Sequence, residues 1–175
     1  MATSYKYFKK DVRDYLKKKF TENATILDVG AGEGTYYNYL GDYFKEIYAI
    51  EIFKPNIEKY ELEKKYSKVY NIDIRNFNFN DHFYDIIIFG DIIEHLEVNE
   101  AQNVLKNAYN RCEEMIVAVP YELEQDECYG NVYEIHKQPD LTPENMLERY
   151  PMLKLLYANE EYGYYVKDVD YGKEN

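Results

Sequence analysis

The chain has 175 residues and a formal net charge of −12, a length that suits one domain able to bury about two-thirds of its unfolded surface. The acidic balance argues against broad nucleic-acid binding, where Lys and Arg must replace counterions. No apolar run approaches the roughly 18 residues that a membrane helix needs.

The start, MATSYKYFKK, has no apolar segment behind its basic residues and does not read as a secretory signal. Cys112 and Cys128 lack metal-type spacing and read as reduced thiols, so a cytoplasmic protein is expected. Charge is uneven, with +5 in residues 1–20 and −17 in the remainder. The 22 tyrosines supply most of the aromatic surface, at the core edge and outside, with some available to line a substrate pocket.

Thr3 or Ser4 is expected to cap a first amphipathic helix over about residues 3–20, with Tyr5, Phe8, Val12, Tyr15, Leu16 and Phe20 on its apolar stripe. Lys6, Lys9, Lys10, Arg13 and Lys17 fall on the opposite, solvated face. The stretch ATILDVGAGEG follows. Its apolar run reads as a buried parallel strand ending near Asp28. Gly30, Gly32 and Gly34 then form a turn where backbone can approach a ligand. A dinucleotide fingerprint would want its third glycine at position 35, which is Thr35. Taken alone, the turn is equally a tight strand-to-helix connection without a ligand.

A short helix from Thr35 carries Tyr36, Tyr39, Leu40 and Tyr43, and a second strand, Glu46–Ile50, ends in Glu51. That acid stands at the interval from the glycine turn at which nucleotide folds deliver a carboxylate to ribose hydroxyls. Pro55 opens a helix to about Tyr66, and a third strand over 68–72 ends at Asp73. The most apolar strand, Tyr84–Phe89, runs into Gly90-Asp-Ile-Ile-Glu-His-Leu96. Asn99 with Gln102 suggests a capping-box start for the next helix. Strand five, Met115–Val119, stops at Pro120, and a polar loop of about twenty residues runs from Tyr121 to Asp140. Thr142-Pro143-Glu144 opens a last helix, and strands at Leu153–Ala158 and Tyr162–Val169 make an antiparallel hairpin.

Alternating strands and helices predict an α/β fold: a doubly wound, mostly parallel seven-stranded sheet with an antiparallel C-terminal hairpin. It is read as a single domain over 1–175. Ligands bind such sheets outside the carboxyl ends of the strands. Asp28, Glu51, Asp73 and Asp91 end four strands in a row there.

With those positions assembled, the chain resembles a small class I S-adenosylmethionine-dependent methyltransferase of Rossmann-like fold over nearly its whole length. DVGAGEG resembles motif I, Glu51 after AIEI motif II, NIDI at 71–74 the third region, YDIIIFGDIIEHL the strand-four motif and IVAVPY the strand-five region. The resemblance implies that Gly30, Gly32 and Gly34 border the methionine portion of S-adenosyl-L-methionine. It puts Glu51 at the ribose, Asp73 and Ile74 at the adenine and Asp91 on the far wall, and counts Asp28 and Ile52 among the cofactor-binding residues.

A sulfonium methyl is already electrophilic, so such an enzyme mainly aligns a nucleophile with it. An oxygen nucleophile must also lose a proton, which calls for a base or a metal. His95, His136 and Glu94 are the catalytic candidates; His95 could equally just order the strand-four turn, and His82 reads as surface. Asp91, Glu94, His95 and a later His136 are also similar to the ligand set of metal-dependent small-RNA 2′-O-methyltransferases, making a divalent metal a further candidate cofactor. In that pattern Asp91 replaces a glutamate, and the loop acids Glu122, Glu124, Asp126 and Glu127 would repel a phosphate backbone.

No Asn-Pro-Pro-Tyr follows strand four and no Pro-Cys is present, which disfavours methylation of a base amino group or a pyrimidine carbon. The expected acceptor is a small-molecule hydroxyl or amine on a sugar, nucleotide-sugar or secondary metabolite. Two alternatives stand beside it: the metal-dependent RNA-end enzyme, and a non-catalytic S-adenosylmethionine-binding interaction module. The expected partner is a small molecule rather than nucleic acid or membrane, with a homodimer as a candidate assembly.

Overall fold

The computed structural model describes residues 5–128 and 130–173. Seven strands form one sheet: β1 (Thr25–Val29), β2 (Glu46–Ile50), β3 (Lys68–Tyr70), β4 (Tyr84–Gly90), β5 (Cys112–Pro120), β6 (Leu153–Ala158) and β7 (Tyr162–Lys167). Their order is β3-β2-β1-β4-β5-β7-β6, parallel from β3 through β5 and antiparallel at β7 and β6. The expected seven-stranded sheet with its C-terminal hairpin is therefore present. The direction in which successive strands are added to the sheet reverses between the parallel neighbours β1 and β4, which opens a crevice beyond their carboxyl ends.

Each central strand feeds two cores because successive side chains point to opposite faces. Ile86 and Ile88 of β4 pack with Val12 and Leu16 of α1 (Lys9–Lys19), Leu40 of α2 (Thr35–Leu40), Ile57 of α3 (Lys54–Lys59) and Leu62 of α4 (Leu62–Lys65). Ile87 and Phe89 pack on the other face with Ala101, Val104 and Leu105 of α5 (Val98–Tyr109) and Met146 of α6 (Pro143–Arg149). Complete burial of both faces explains the near-continuous Ile run of β4.

Local structure departs from the expected elements in several places, among them β3, which stops at Tyr70 rather than residue 72, and β7, which stops at Lys167 rather than Val169. The first helix starts at Lys9, because Phe8 adopts φ 54° and lays its ring on Tyr157 and Tyr164; Thr3 and Ser4, the expected caps, lie outside the described residues. Lys9, expected in solvent, is 2% exposed. The helix after Pro55 divides at Glu61, which has φ 52°. Helix α5 is capped by Glu97 and Glu100 rather than Asn99 and Gln102, through a reciprocal capping box. Among the described residues no helix is long and apolar enough to cross a membrane.

Candidate functional site

The crevice between β1 and β4 is floored by the glycine turn. The amides of Gly30 and Ala31 donate to the Ile50 carbonyl at 2.8 and 3.1 Å, fixing the turn against β2. Gly30 has φ +73°, and a Cβ there would stand 1.9 Å from the Ile92 side chain. Only glycine meets both demands. Glu51 then enters beneath the turn. One carboxylate oxygen accepts from Gly32 N and the other from Phe53 N, both at 2.7 Å. Burial raises its pKa while those amides oppose the rise. Each oxygen keeps a lone pair for a further donor.

Two cavities flank Ile92 and share Gly30, Ile52, His95 and Tyr133 in their walls. The larger, about 360 Å³, is bounded by Val29, Ile50, Ile52, Ile72 and Ile74, with Asp73 at its rim. Asp73 is held by the Arg75 guanidinium at 2.6 Å, and Arg75 also reaches Glu100 at 2.8 Å. That hydrogen bonding to Arg75 lowers the Asp73 pKa. An apolar slot with one carboxylate at its edge can take a flat base and accept from its amino group.

The smaller cavity, about 160 Å³, is lined by Gly30, Gly32, Glu51, Asp91, Glu94, His95, Glu134 and His136. Here three functional groups converge. Glu94, 1% exposed, sits on a 3₁₀ turn, Ile93–His95, directly after β4. Among the described residues, neither of its carboxylate oxygens has a hydrogen-bond partner. His95 Nε2 lies 4.0 Å from Glu94 Oε1, and the His95 and His136 rings are 4.8 Å apart. One ligand atom of each of the three residues lies within 4.8 Å of the others.

Both imidazoles are oriented by main chain. His95 Nδ1 meets the Ile135 carbonyl at 3.3 Å and His136 Nδ1 the Leu123 carbonyl at 2.7 Å. A protonated Nδ1 in each leaves Nε2 with its lone pair free. Burial, and then the neighbouring His136, lowers the His95 pKa to about 4, so its ring is neutral at physiological pH. Burial, and then Asp91, pushes Glu94 well above the usual carboxylate range.

Not every expected residue meets these cavities. Asp28 and Gly34 line neither of them. Asp28 is fully buried beneath the turn and accepts from the Tyr66 hydroxyl at 2.6 Å. Gly34 is the residue before α2 and lies under Lys65 and Leu62. Asp91 lines the smaller cavity outside the three-residue cluster; the Tyr162 hydroxyl holds its Oδ1 at 2.6 Å, and its buried Oδ2 has no hydrogen-bond partner among the described residues. The loop acids Glu122, Glu124, Asp126 and Glu127 are exposed and line neither cavity. His82 is exposed at the far end, stacked on Phe77.

Sequence reasoning missed three residues here. Glu134 is the loop acid that enters the cavity. Tyr5 of the N-terminal segment also lines it. Gln138, 2% exposed, fastens the loop to the strand-four turn by donating to the Ile93 and Leu96 carbonyls at 2.8 and 3.0 Å. The Lys137 and Gln138 amides add bonds to the Glu94 carbonyl at 2.7 and 3.1 Å. The one local signal was that Glu134 and Gln138 each stand two residues from His136.

A family model described as a methyltransferase domain matches residues 27–114. No curated protein matches the chain. Among solved structures, an S-adenosylmethionine-dependent methyltransferase from Clostridium acetobutylicum ATCC 824 is 14% identical with a TM-score of 0.70, covering 94% of this chain and 92% of that one. The methyltransferase domain of bacterial CtHen1-CN is 20% identical with a TM-score of 0.68, covering 91% and 96%. DhpI in its SAH complex is 11% identical with a TM-score of 0.71, covering 93% and 85%. At these identities the likeness is one of fold.

Proposed function

The chain belongs to the S-adenosylmethionine-dependent methyltransferases, and from that premise we propose that it methylates a hydroxyl of a small polar acceptor beside a divalent cation. The observation that carries this reading is Glu94: a buried carboxylate whose two oxygens have no hydrogen-bond partner among the described residues, next to two imidazoles whose Nδ1 atoms are already engaged. A buried charge without partners is costly unless something else neutralises it. Carboxylate with imidazole suits a first-row divalent cation.

The residues also fit the cofactor. The free lone pairs of Glu51 suit the ribose diol. The isoleucine-walled cavity suits the adenine, with Ile52, Asp73 and Ile74 around it. Gly30, Gly32 and Asp91 face the space left for the methionine end. The cofactor supplies a methyl on a positively charged sulfur; transfer forms the carbon–oxygen bond as the carbon–sulfur bond breaks, with that electron pair staying on sulfur. Glu94, His95 and His136 would hold the cation, which would lower the pKa of the acceptor's hydroxyl. The chain's part is to hold the acceptor oxygen between that cluster and the glycine turn, in line with the methyl. The hydroxyl proton leaves to water at the open mouth.

The cluster favours a hydroxyl over an amine, since an unprotonated amine needs no such activation. The cavity wall favours a neutral or cationic small molecule over RNA. Glu33, Glu51, Asp91, Glu94 and Glu134 line it, without a Lys or Arg among the described residues.

The test is methyl transfer from labelled cofactor to panels of polyols, sugars, amino sugars and RNA oligonucleotides, with chelator and with Mn²⁺ restored. Turnover on a small hydroxyl, lost in chelator and regained with the cation, is expected. Chelator-insensitive turnover rejects the cation, and labelling of RNA alone replaces the acceptor class.

A further inference from the structure

We propose that Gln138 is the positioning residue for both halves of the Glu94–His95–His136 cluster, an inference that rests on reading those three as a ligand set. Glu94 sets the problem. Among the described residues neither of its carboxylate oxygens has a hydrogen-bond partner, so no such bond aims the side chain. Its direction is decided by packing and by its own main chain, and the main chain of the turn Ile93–His95 is held from outside.

Four hydrogen bonds hold it, all from two consecutive residues. The Lys137 and Gln138 amides both donate to the Glu94 carbonyl, at 2.7 and 3.1 Å. The Gln138 side chain donates to the Ile93 carbonyl at 2.8 Å and to the Leu96 carbonyl at 3.0 Å. Too short to satisfy all its own carbonyls, the turn takes these donors instead. His136 directly precedes the pair. The residues that grip Glu94 therefore also fix how far His136 stands from it.

The Gln138 amide has one way to sit. Its Oε1 accepts from the Tyr150 hydroxyl at 2.8 Å and from the Arg149 guanidinium at 3.2 Å. Arg149 can only donate and main-chain carbonyls can only accept, so a flipped amide would lose bonds on both sides. Both N–H donors and both lone pairs are used, at a residue 2% exposed. The support extends further back. Tyr150 is fully buried, and the Gln102 side chain of α5 donates to the Arg149 carbonyl at the end of α6 at 2.9 Å. Helices α5 and α6 thus reach the strand-four turn through one amide. Glutamate of the same length would set an acceptor against two carbonyls, and methionine would offer neither side a strong bond. Partners that orient the ligands of an ion matter to its affinity almost as the ligands do.

The experiment is calorimetric titration of Mn²⁺, and separately of S-adenosylhomocysteine, into the full chain and its Q138M, Q138E and N145A variants, with thermal unfolding of each. Asn145 anchors the far end of the same segment by donating to the Asp140 carbonyl at 2.7 Å and lines neither cavity, so N145A reports a loosened loop alone. Mn²⁺ affinity should fall about tenfold or more in Q138M and Q138E. S-adenosylhomocysteine affinity should stay within about threefold of wild type in both, and N145A should keep both affinities. Wild-type Mn²⁺ affinity in a Gln138 variant that still binds S-adenosylhomocysteine overturns the positioning role. Loss of both affinities in Q138M and Q138E alike makes Gln138 an anchor of the fold and overturns it too, as does an equal loss of Mn²⁺ affinity in N145A. Failure of the wild type to bind Mn²⁺ while it still binds S-adenosylhomocysteine removes the ligand set itself, and the positioning role with it.

Discussion

Two residues under the glycine turn answer to opposite demands. Gly30 must leave space, since φ +73° and the 1.9 Å approach of Ile92 forbid a side chain. Gly30→Ala is therefore expected to cost about 1–3 kcal/mol of stability, read by urea unfolding, and to weaken cofactor binding in calorimetry as the turn shifts. Asp28 fills space but carries a titratable group. Burial raises its pKa from 3.8 to about 7, against the opposing Tyr66 hydrogen bond and Lys9 charge. A raised folded pKa means that the proton is bound more tightly in the fold. Its contribution is whole below about pH 4 and is lost as pH rises through about 7. Asp28→Asn removes that loss. Its stability relative to wild type should climb between about pH 4 and pH 7, by a few kcal/mol, in thermal unfolding run across that range. A difference curve that stays flat would show that Asp28 does not titrate there.

At the scale of elements, the strand ends were readable and the segments between them less so. Glu51 and Asp91 directly follow β2 and β4, where a buried parallel strand writes its own end in the first polar residue, whereas Asp28 lies inside β1 and β3 stops at Tyr70, before Asp73. The start of α1 was not readable, because a rotation at Phe8 that seats its ring on β6 and β7 depends on residues some 150 positions away. That rotation also turns Lys9 inward. Its ammonium donates to the Tyr164 hydroxyl at 3.0 Å and lies 4.4 Å from the centre of the Tyr36 ring. Asp91 and Asp28 are the anions it faces, and burial lowers its pKa against their pull. Helix α1 thus delivers a cation beneath the floor of the site, whereas an amphipathic pattern assigns every lysine to solvent. Lys9→Met is expected to lose about 3–5 kcal/mol by leaving the buried Asp28 and the half-buried Asp91 without that charge, measured by chemical denaturation. Lys10→Met, on the exposed side of the same helix, should stay within about 0.5 kcal/mol of wild type.

For the whole molecule, the sheet supplies one half of the site and the long connection after β5 supplies the other. The half on the sheet was legible because strand, turn and acid are local patterns. The other half was not, because Gln138 and the backbone of Lys137 reach the strand-four turn only across the folded molecule. Those bonds close the cavity around a carboxylate that has no hydrogen-bond partner among the described residues, which leaves an unmet cost at Glu94. A ligand that binds only the folded chain stabilises it by mass action, by about 2.7 kcal/mol at a hundred times its Kd. For a chain of this size that is a rise in Tm of roughly 5–10 °C. Mn²⁺ should produce such a rise in wild type. Glu94→Met should behave oppositely in each state: without the cation it unfolds at or above the wild-type temperature, because an unpaired buried acid has become apolar, and with the cation it shows no rise. A carboxylate retained for structure would give the reverse, a fall in Tm without the cation and an unchanged response to it, and differential scanning fluorimetry of the two proteins separates these outcomes.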